Sequence, residues 1–423
     1  MIYNLAIYIY VSAVRLAALF SKKVSKMVKG EQEAFTVLKQ KIDPQAKYIW
    51  FHAASLGEFE QGRPLIELIR KRFPQYRILQ TFFSPSGYEV RKDYKGADVV
   101  CYLPLDTPRN VRRFIDAAHP CMAFFIKYEF WRNYLYTLCC RGIPVYSVCS
   151  IFRPQQVFFR WYGASYRNVL KCFAHLFVQN EESVRLLEKI GVKNTTIVGD
   201  TRFDRVLEIC REAKELPLVA AFKGDNHQTL VAGSSWTPDE DIFIPYFNAH
   251  PGMKLIIAPH VIDESHLQEI EGKLKRPAVR YTQAKEADVQ QADCLIIDCF
   301  GLLSSIYRYG EMAYIGGGFG VSIHNTLEAA VYGVPVFFGP NNYKFREAQG
   351  LKACGGGLEI QNETDFQRLM DRLLSDTAYL STSGKAAGDY VKNNAGALDK
   401  IMETVKFQCC LLYTSPSPRD ISG

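Results

Sequence analysis

From Tyr48 onward the chain alternates short runs of β-branched and aromatic residues with longer stretches whose apolar positions recur every three or four residues. The first runs are YIWFH (48–52), RILQTFF (77–83), DVVCYL (98–103), MAFFI (122–126), PVYSVC (144–149), HLFVQ (175–179) and TTIVG (195–199). After a gap come TLVAG (229–233), KLIIAP (254–259), CLIID (294–298), MAYIGG (312–317) and PVFFG (335–339). Strands that are apolar throughout are buried on both faces, and helices between them make the sheets parallel. The pattern predicts an α/β protein of two doubly wound, Rossmann-like domains. The join lies near 200–225, where REAKELPLVAAFKGDN is charged and carries Pro217, so the domains are drawn as 31–210 and 211–407. A last helix is expected over 384–407.

The two ends depart from this alternation. Residues 1–20, MIYNLAIYIYVSAVRLAALF, carry the single charge Arg15, and Lys22, Lys23, Lys26 and Lys29 follow. A secretory signal has the opposite order, charge before apolar tract. Residues 1–30 are therefore expected to be a membrane-associated helix with a basic flank, its lysines on the cytoplasmic side of the inner membrane against anionic lipid. A stretch this long just reaches across a bilayer, and a helix lying in the interface is the alternative. A buried first helix is the bland reading. At the other end, Pro416 and Pro418 forbid a continued helix. Residues 408–423 read as a non-native, adapter-like tail outside the fold.

Composition narrows the class. A length of 423 residues with 48% hydrophobic and 22% charged positions is that of a globular chain of two or three domains. Fifty-one basic against 44 acidic residues leave +7, which permits anionic partners without demanding them. The 12 cysteines include the adjacent pairs Cys139-Cys140 and Cys409-Cys410, but no Cys-x-x-Cys, and most others sit in apolar runs as core thiols.

Ligands of doubly wound sheets bind beyond the carboxyl ends of the strands. Ser55-Leu56-Gly57-Glu58 follows the first strand and opens a helix, so Glu58 is either a general base or an acidic residue favoured by a helix N-terminus. Burial raises its pKa and the helix end lowers it. Pro64 is expected near the first turn of that helix, and Gly57 to allow close approach. Ser84, Ser86 and Gly87 offer hydroxyls and amides to a sugar or phosphate, or simply form a turn. Glu129, beside Trp131 and after the apolar MAFFI, is an unusual place for a merely solvated carboxylate. Arg202 and Arg205 can neutralise a phosphate or pair Asp200 or Asp204. The run Arg70-Lys71-Arg72 can face phosphates or be a solvated helix end.

In the second series Gly233-Ser234-Ser235 and Pro259-His260 follow strands. Gly316-Gly317-Gly318 can bring amides to an anion, and Asn325-Thr326-Leu327-Glu328 opens a helix as a cap or as a nucleotide contact. A nicotinamide reading fails because Val321 stands where Gly or Ala is required. No Walker loop, His-Glu-x-x-His or Gly-x-Ser-x-Gly occurs.

Taken together, Lys26–Glu31, Ser55–Glu58, Tyr128-Glu129-Phe130-Trp131, Gly199 with Phe203-Asp204, Gly233-Ser234, and Gly316-Gly317 with His324-Asn325 and Glu328 resemble the 3-deoxy-D-manno-octulosonic acid (Kdo) transferases over about residues 1–407. The resemblance implies an inverting glycosyltransferase of the GT-B fold with an interdomain cleft. An acceptor-binding first domain faces a nucleotide-sugar-binding second domain, and the C-terminal helix crosses back onto the first. It implies a CMP-Kdo donor, the lipid A precursor lipid IV(A) (tetraacyldisaccharide 4'-phosphate) as acceptor, inner-membrane lipid as a further partner, no nucleic acid, no metal and no cofactor. Glu58 would be the proton acceptor, and Glu129 and Arg202 the transition-state stabilisers. CMP would contact Pro259, His260, Gly316, Gly317, Gly318, Asn325, Thr326, Leu327 and Glu328. The family usually has Arg-His at Pro259-His260 and Lys at Arg202. The alternatives are another GT-B enzyme, a UDP-sugar transferase or epimerase, and a catalytically silent membrane-bound scaffold.

Overall fold

A computed structural model describes residues 2–320, 322–405 and 407. The expected tail, 408–423, and Val321 lie outside the described residues. The chain forms two compact units, 1–204 with 396 onward, and 205–395.

The first unit holds β1 (Tyr48–Ala53), β2 (Arg77–Phe82), β3 (Val99–Tyr102), β4 (Pro120–Ile126), β5 (Val145–Ser150), β6 (His175–Val178) and β7 (Thr195–Ile197). They form one parallel sheet in the order β3-β2-β1-β4-β5-β6-β7. Successive side chains of β1 point to opposite faces. Tyr48 and Trp50 enter one apolar core with Leu135 and Leu138, and Ile49, Phe51 and Ala53 enter another with Leu65, Ile66 and Ile69. Helices cover both faces, which is why these strands carry no polar alternation.

The second unit holds β8 (Thr229–Ser235), β9 (Lys254–Pro259), β10 (Ala278–Arg280), β11 (Cys294–Ile296), β12 (Met312–Ile315), β13 (Val336–Phe338) and β14 (Gly357–Glu359). Its sheet is also parallel, in the order β10-β11-β9-β8-β12-β13-β14. The edge strands β10 and β14 are absent from the sequence reading because each is three residues long and abuts Pro277 or Gly355-Gly356.

Two boundaries differ from expectation. The last helix breaks into Thr377–Asn394 and Ala397–Thr404 at Gly396, whose φ of +99° is accessible to glycine at little cost. Asp204, offered above as an arginine partner, accepts the N–H groups of Gly396 and Ala397 at 2.9 and 3.1 Å. Ala397 and Ile401 then enter a core of the first unit, so residues from 396 pack with that unit, and the units divide at 204/205 rather than 210/211. Pro64 lies well inside the helix Leu56–Arg72, not in its first turn.

The N-terminal segment forms the helices Ile2–Ala17 and Lys22–Lys41, the second capped by Ser21. Val11 and Val14 are buried, Tyr3 Oη donates to Asp106 at 2.6 Å, and Asn133 donates to Asn4 at 2.9 Å. The opposite face exposes Leu5, Ile9 and Leu16, and the turn that follows exposes Leu19 and Phe20. Among the described residues no helix is long and apolar enough to cross a membrane.

Candidate active site

In the first sheet the order of addition reverses between β1 and β4, so the crevice opens beyond their carboxyl ends. Both glutamates singled out above stand there. Ser55 caps the helix Leu56–Arg72, and Glu58 Oε2 accepts the N–H groups of Ala54 at 2.6 Å and Ser55 at 3.3 Å. Burial and the charge of Glu129 raise its pKa against the pull of the Ala54 N–H, His52 and Lys127. Burial thus outweighs the helix end. A Cβ at Gly57 would meet nothing within 4 Å, so packing does not demand this glycine. Gly87, by contrast, lets its helix close onto Phe82 and the Leu56 amide, while Ser84 and Ser86 share a hydrogen bond.

Glu129 is 9% exposed, and its Oε2 accepts the Trp131 indole N–H at 2.6 Å. The same oxygen lies 3.0 Å from Nε2 of His52, a residue the sequence reading passed over. His52 ends the apolar run of β1, fully buried, and pairs in register with Thr81 of β2. The turn that carries Glu129 starts at Lys127, whose φ of +61° is rare for a residue with a side chain. Hydrogen bonds from Lys127 N–H to Val148 O and from Ser150 Oγ to Lys127 O hold it there.

Arg202 lays its guanidinium on both oxygens of Asp200, with Nη2 to Oδ2 at 2.9 Å. Asp200 Oδ2 also accepts Gln61 Nε2 at 2.6 Å, one turn beyond Glu58 on the same helix. Burial would raise the Asp200 carboxyl, but Arg202 and Gln61 together hold it below its usual value. Arg205 pairs Glu208. In the basic run, Arg70 is tied to Asp98, and Arg72 lies 3.9 Å from Asp399.

In the second sheet the reversal lies between β8 and β12. A bulge at the end of β8 puts Ser234 at φ +52°. His260 N–H donates to Ser235 O, and its ring stacks on Trp236 and tilts against His324, with centroids 4.7 and 4.4 Å away. Burial, with a smaller contribution from His260, pulls the His324 pKa down to about 4, so its ring is neutral at ordinary pH. Trp236 and His324 line a cavity of about 300 Å³ with Asp239, Gly317 and Ser322.

The glycine turn does not offer all its amides to an anion. Gly316 N–H donates to Gly233 O at 3.0 Å, and Gly317 N–H to Asp239 Oδ2 at 2.9 Å. These glycines answer to packing instead: a Cβ on Gly316 would lie 2.1 Å from Ser234 O, and one on Gly318 2.5 Å from Gly339 N. Thr326, not Asn325, is the N-cap of the short helix Leu327–Ala330. Asn325 accepts the Leu327 N–H and donates to Glu328 at 3.0 Å, while the buried Thr326 hydroxyl has no hydrogen-bond partner among the described residues.

Pro259 and His260 line a second pocket, of about 210 Å³, with Ser234, Cys299, Phe300 and Gly301. The loop after β11 thus joins the site. The sequence signal was available: a strand end followed by Phe300-Gly301, the same kind of position that drew attention to Glu58. Among the described residues no cluster of His, Cys, Asp and Glu is arranged to hold a metal.

Residues 29–205 match the family profile of the 3-deoxy-D-manno-octulosonic-acid transferases (kdotransferases). The 3-deoxy-D-manno-octulosonic acid transferase of Aquifex aeolicus is 28% identical over 335 residues, 77% of this chain and 86% of the relative. That of Rickettsia felis is 26% identical over 393 residues, 88% of this chain and 83% of the relative. Among solved structures, UDP-GlcNAc 2-epimerase from Neisseria meningitidis bound to UDP-GlcNAc aligns with a TM-score of 0.58 at 14% identity, covering 84% of this chain and 99% of that one. This last is a likeness of fold.

Proposed function

We propose that this chain, a glycosyltransferase by its likeness to the 3-deoxy-D-manno-octulosonic acid transferases, is a member of that family and transfers Kdo from CMP-Kdo to a lipid A precursor, lipid IV(A), with inversion at the anomeric carbon. The observation that carries it is Glu58, a half-buried carboxylate of raised proton affinity beyond the carboxyl end of β1. An acceptor hydroxyl attacks the anomeric carbon of Kdo as its proton passes to Glu58. The bond from that carbon to the phosphate oxygen breaks, and CMP departs with the electron pair. A single displacement needs one base and cationic or N–H donors for the leaving group. Glu129 and Arg202 serve the charge that develops.

In the second unit CMP is proposed to occupy the pockets around Pro259, His260 and Phe300, reaching the Gly316–Gly318 turn and Asn325–Glu328. With the Gly316 and Gly317 amides engaged, phosphate contact falls to other donors, Ser234 among them. The epimerase likeness is one of fold and does not favour a UDP-sugar. The N-terminal helix, with its exposed apolar face beside Lys22, Lys23, Lys26 and Lys29, is proposed to lie in the cytoplasmic interface of the inner membrane, where a lipid acceptor is met.

The test is product formation by the purified chain with CMP-Kdo and lipid IV(A) in anionic vesicles, beside a UDP-sugar donor. Kdo transfer from CMP-Kdo alone supports the proposal. Transfer from the UDP-sugar, or none from CMP-Kdo, overturns it.

A further inference from the structure

Trp50, Thr81, His52, Glu129 and Trp131 form one chain of hydrogen bonds through the first unit. The Trp50 indole N–H donates to Thr81 Oγ1 at 2.8 Å, and His52 Nδ1 lies 2.9 Å from that hydroxyl. His52 Nε2 lies 3.0 Å from Glu129 Oε2, which also accepts the Trp131 indole at 2.6 Å.

The donors in this chain dictate the rest. An indole nitrogen only donates, so Thr81 Oγ1 is an acceptor toward Trp50 and keeps its own proton to give, with His52 Nδ1 at 2.9 Å nearer than its other acceptor, Phe51 O, at 3.4 Å. Given to Nδ1, that proton leaves the imidazole with its hydrogen on Nε2, aimed at Glu129. Two N–H donors then converge on one carboxylate oxygen, at 3.0 and 2.6 Å, as charge-assisted hydrogen bonds that hold it in place. We propose that His52 is the positioning residue of Glu129, fixing by its Nε2–H both the orientation and the ionisation of the carboxylate that acts on Glu58.

The inference rests on the reading of Glu58 as base. Glu58, from the helix after β1, faces this chain together with Lys127 from the turn after β4, and Lys127 in turn neighbours Cys149 of β5, beside Asp200, which is paired with Arg202 after β7. Burial raises the Cys149 thiol to about 12, so it stays neutral, and Arg202 and Gln61 hold the Asp200 carboxyl below its usual value, so it stays charged. Glu129 is the neighbour whose charge adds to burial in holding the Glu58 proton affinity up. If its carboxylate takes a proton more readily, Glu58 falls toward an ordinary, weaker base.

Glutamine and asparagine separate the two ring nitrogens. His52→Gln keeps an N–H near the Nε2 position, whereas His52→Asn keeps only the Nδ1 side. The first readout needs no activity: the indole N–H resonance of Trp131 in tryptophan-¹⁵N-labelled full-length chain, assigned with Trp131→Phe, followed against pH. We expect its acid titration midpoint to rise in His52→Asn and to stay near wild type in His52→Gln. The second is the pH profile of Kdo transfer. Loss of a hydrogen bond to a charged group lowers kcat about 10–100-fold in His52→Asn. The acidic limb moves to lower pH, KM for CMP-Kdo holds, and His52→Gln restores most of the rate. Thr81→Val, which frees the imidazole to reverse its tautomer, shifts the Trp131 titration in the same direction and serves if His52→Asn does not fold. An unshifted Trp131 titration in the folded variants overturns the proposal, as does equal loss of rate in Asn and Gln variants with unshifted profiles. A shifted titration in a chain that transfers no Kdo instead overturns the proposed function and leaves the hydrogen-bond device standing.

Discussion

The N–H of Gly317 donates to Oδ2 of Asp239 at 2.9 Å, and the carboxylate that takes it is 1% exposed. Asp239 also accepts the Trp236 N–H and the Tyr314 hydroxyl, so one side chain ties the ends of β8 and β12 together at the crossover of the second sheet. Replacement by alanine leaves three donors without this acceptor, two of them, the Gly317 N–H and the Tyr314 hydroxyl, buried. Asp239→Ala should lose about 3 kcal/mol of stability by urea unfolding, several-fold less than three gas-phase bonds because water re-pairs some donors. CMP affinity, read by calorimetry, should fall with it. Unchanged stability would contradict the bracing role.

Glycines 57 and 316 should respond oppositely to the same change. A Cβ at Gly316 collides with the backbone of Ser234, which cannot step aside, whereas one at Gly57 enters open space. Gly316→Ala is expected to cost about 3 kcal/mol or more, at or above the usual overpacking range. Gly57→Ala should not lower the melting temperature, because among the described residues a methyl group there meets no atom within 4 Å and alanine suits a helix better than glycine. Thermal melts of the two variants settle the contrast, and a destabilised Gly57→Ala would contradict it.

Glu31 gives the fold a pH dependence. It is buried, its Oε1 has no hydrogen-bond partner among the described residues, and burial pushes its pKa to about 8 against an N–H from Leu105 and the charge of Arg15. The folded chain therefore keeps a proton that the unfolded chain releases near pH 4.5, and this residue's contribution to stability falls as pH rises from there to about 8. Glu31→Gln removes that slope. It should exceed wild type by roughly 1–3 kcal/mol at pH 8, with the gap closing toward pH 5. A gap that stays constant across urea titrations at these pH values would remove Glu31 as the cause.

The N-terminal helix is expected to attach without spanning. Tyr3 and Asn4 are held by Asp106 and Asn133, while Leu5 and Ile9 point outward. Leu5→Asp with Ile9→Asp should weaken co-sedimentation with anionic vesicles about tenfold or more, from the apolar area lost to the interface. Alkaline carbonate should release the wild-type chain from membranes. Resistance to carbonate would point to a span.

What could be read in the sequence divides along physical lines. Long apolar strands such as MAFFI and KLIIAP announce themselves, because burial on both faces leaves no other pattern. Glu58 and Glu129 were visible because charge directly after such a strand is conspicuous. His52 was not: it ends an apolar run, and its meaning comes from Glu129, 77 positions away, and Thr81 on the neighbouring strand. The Gly316–Gly318 turn is ambiguous in another way. A glycine run is equally the mark of amides meeting an anion and of backbones meeting each other, and only the Ser234 and Gly339 contacts tell them apart. Phe300 was passed over because an exposed aromatic after a short strand carries no charge to draw the eye.

Glu58 is proposed to take the acceptor's proton, and Glu58→Gln tests that role. Glutamine matches the shape of the residue but cannot take the proton. The measurement is Kdo transfer from CMP-Kdo to lipid IV(A) by the full chain on anionic vesicles, with CMP binding and melting temperature in parallel. The account predicts a rate lower by about 100-fold or more, within the range for loss of a general base, with CMP affinity unchanged. A folded Glu58→Gln chain that transfers Kdo at the wild-type rate would contradict it.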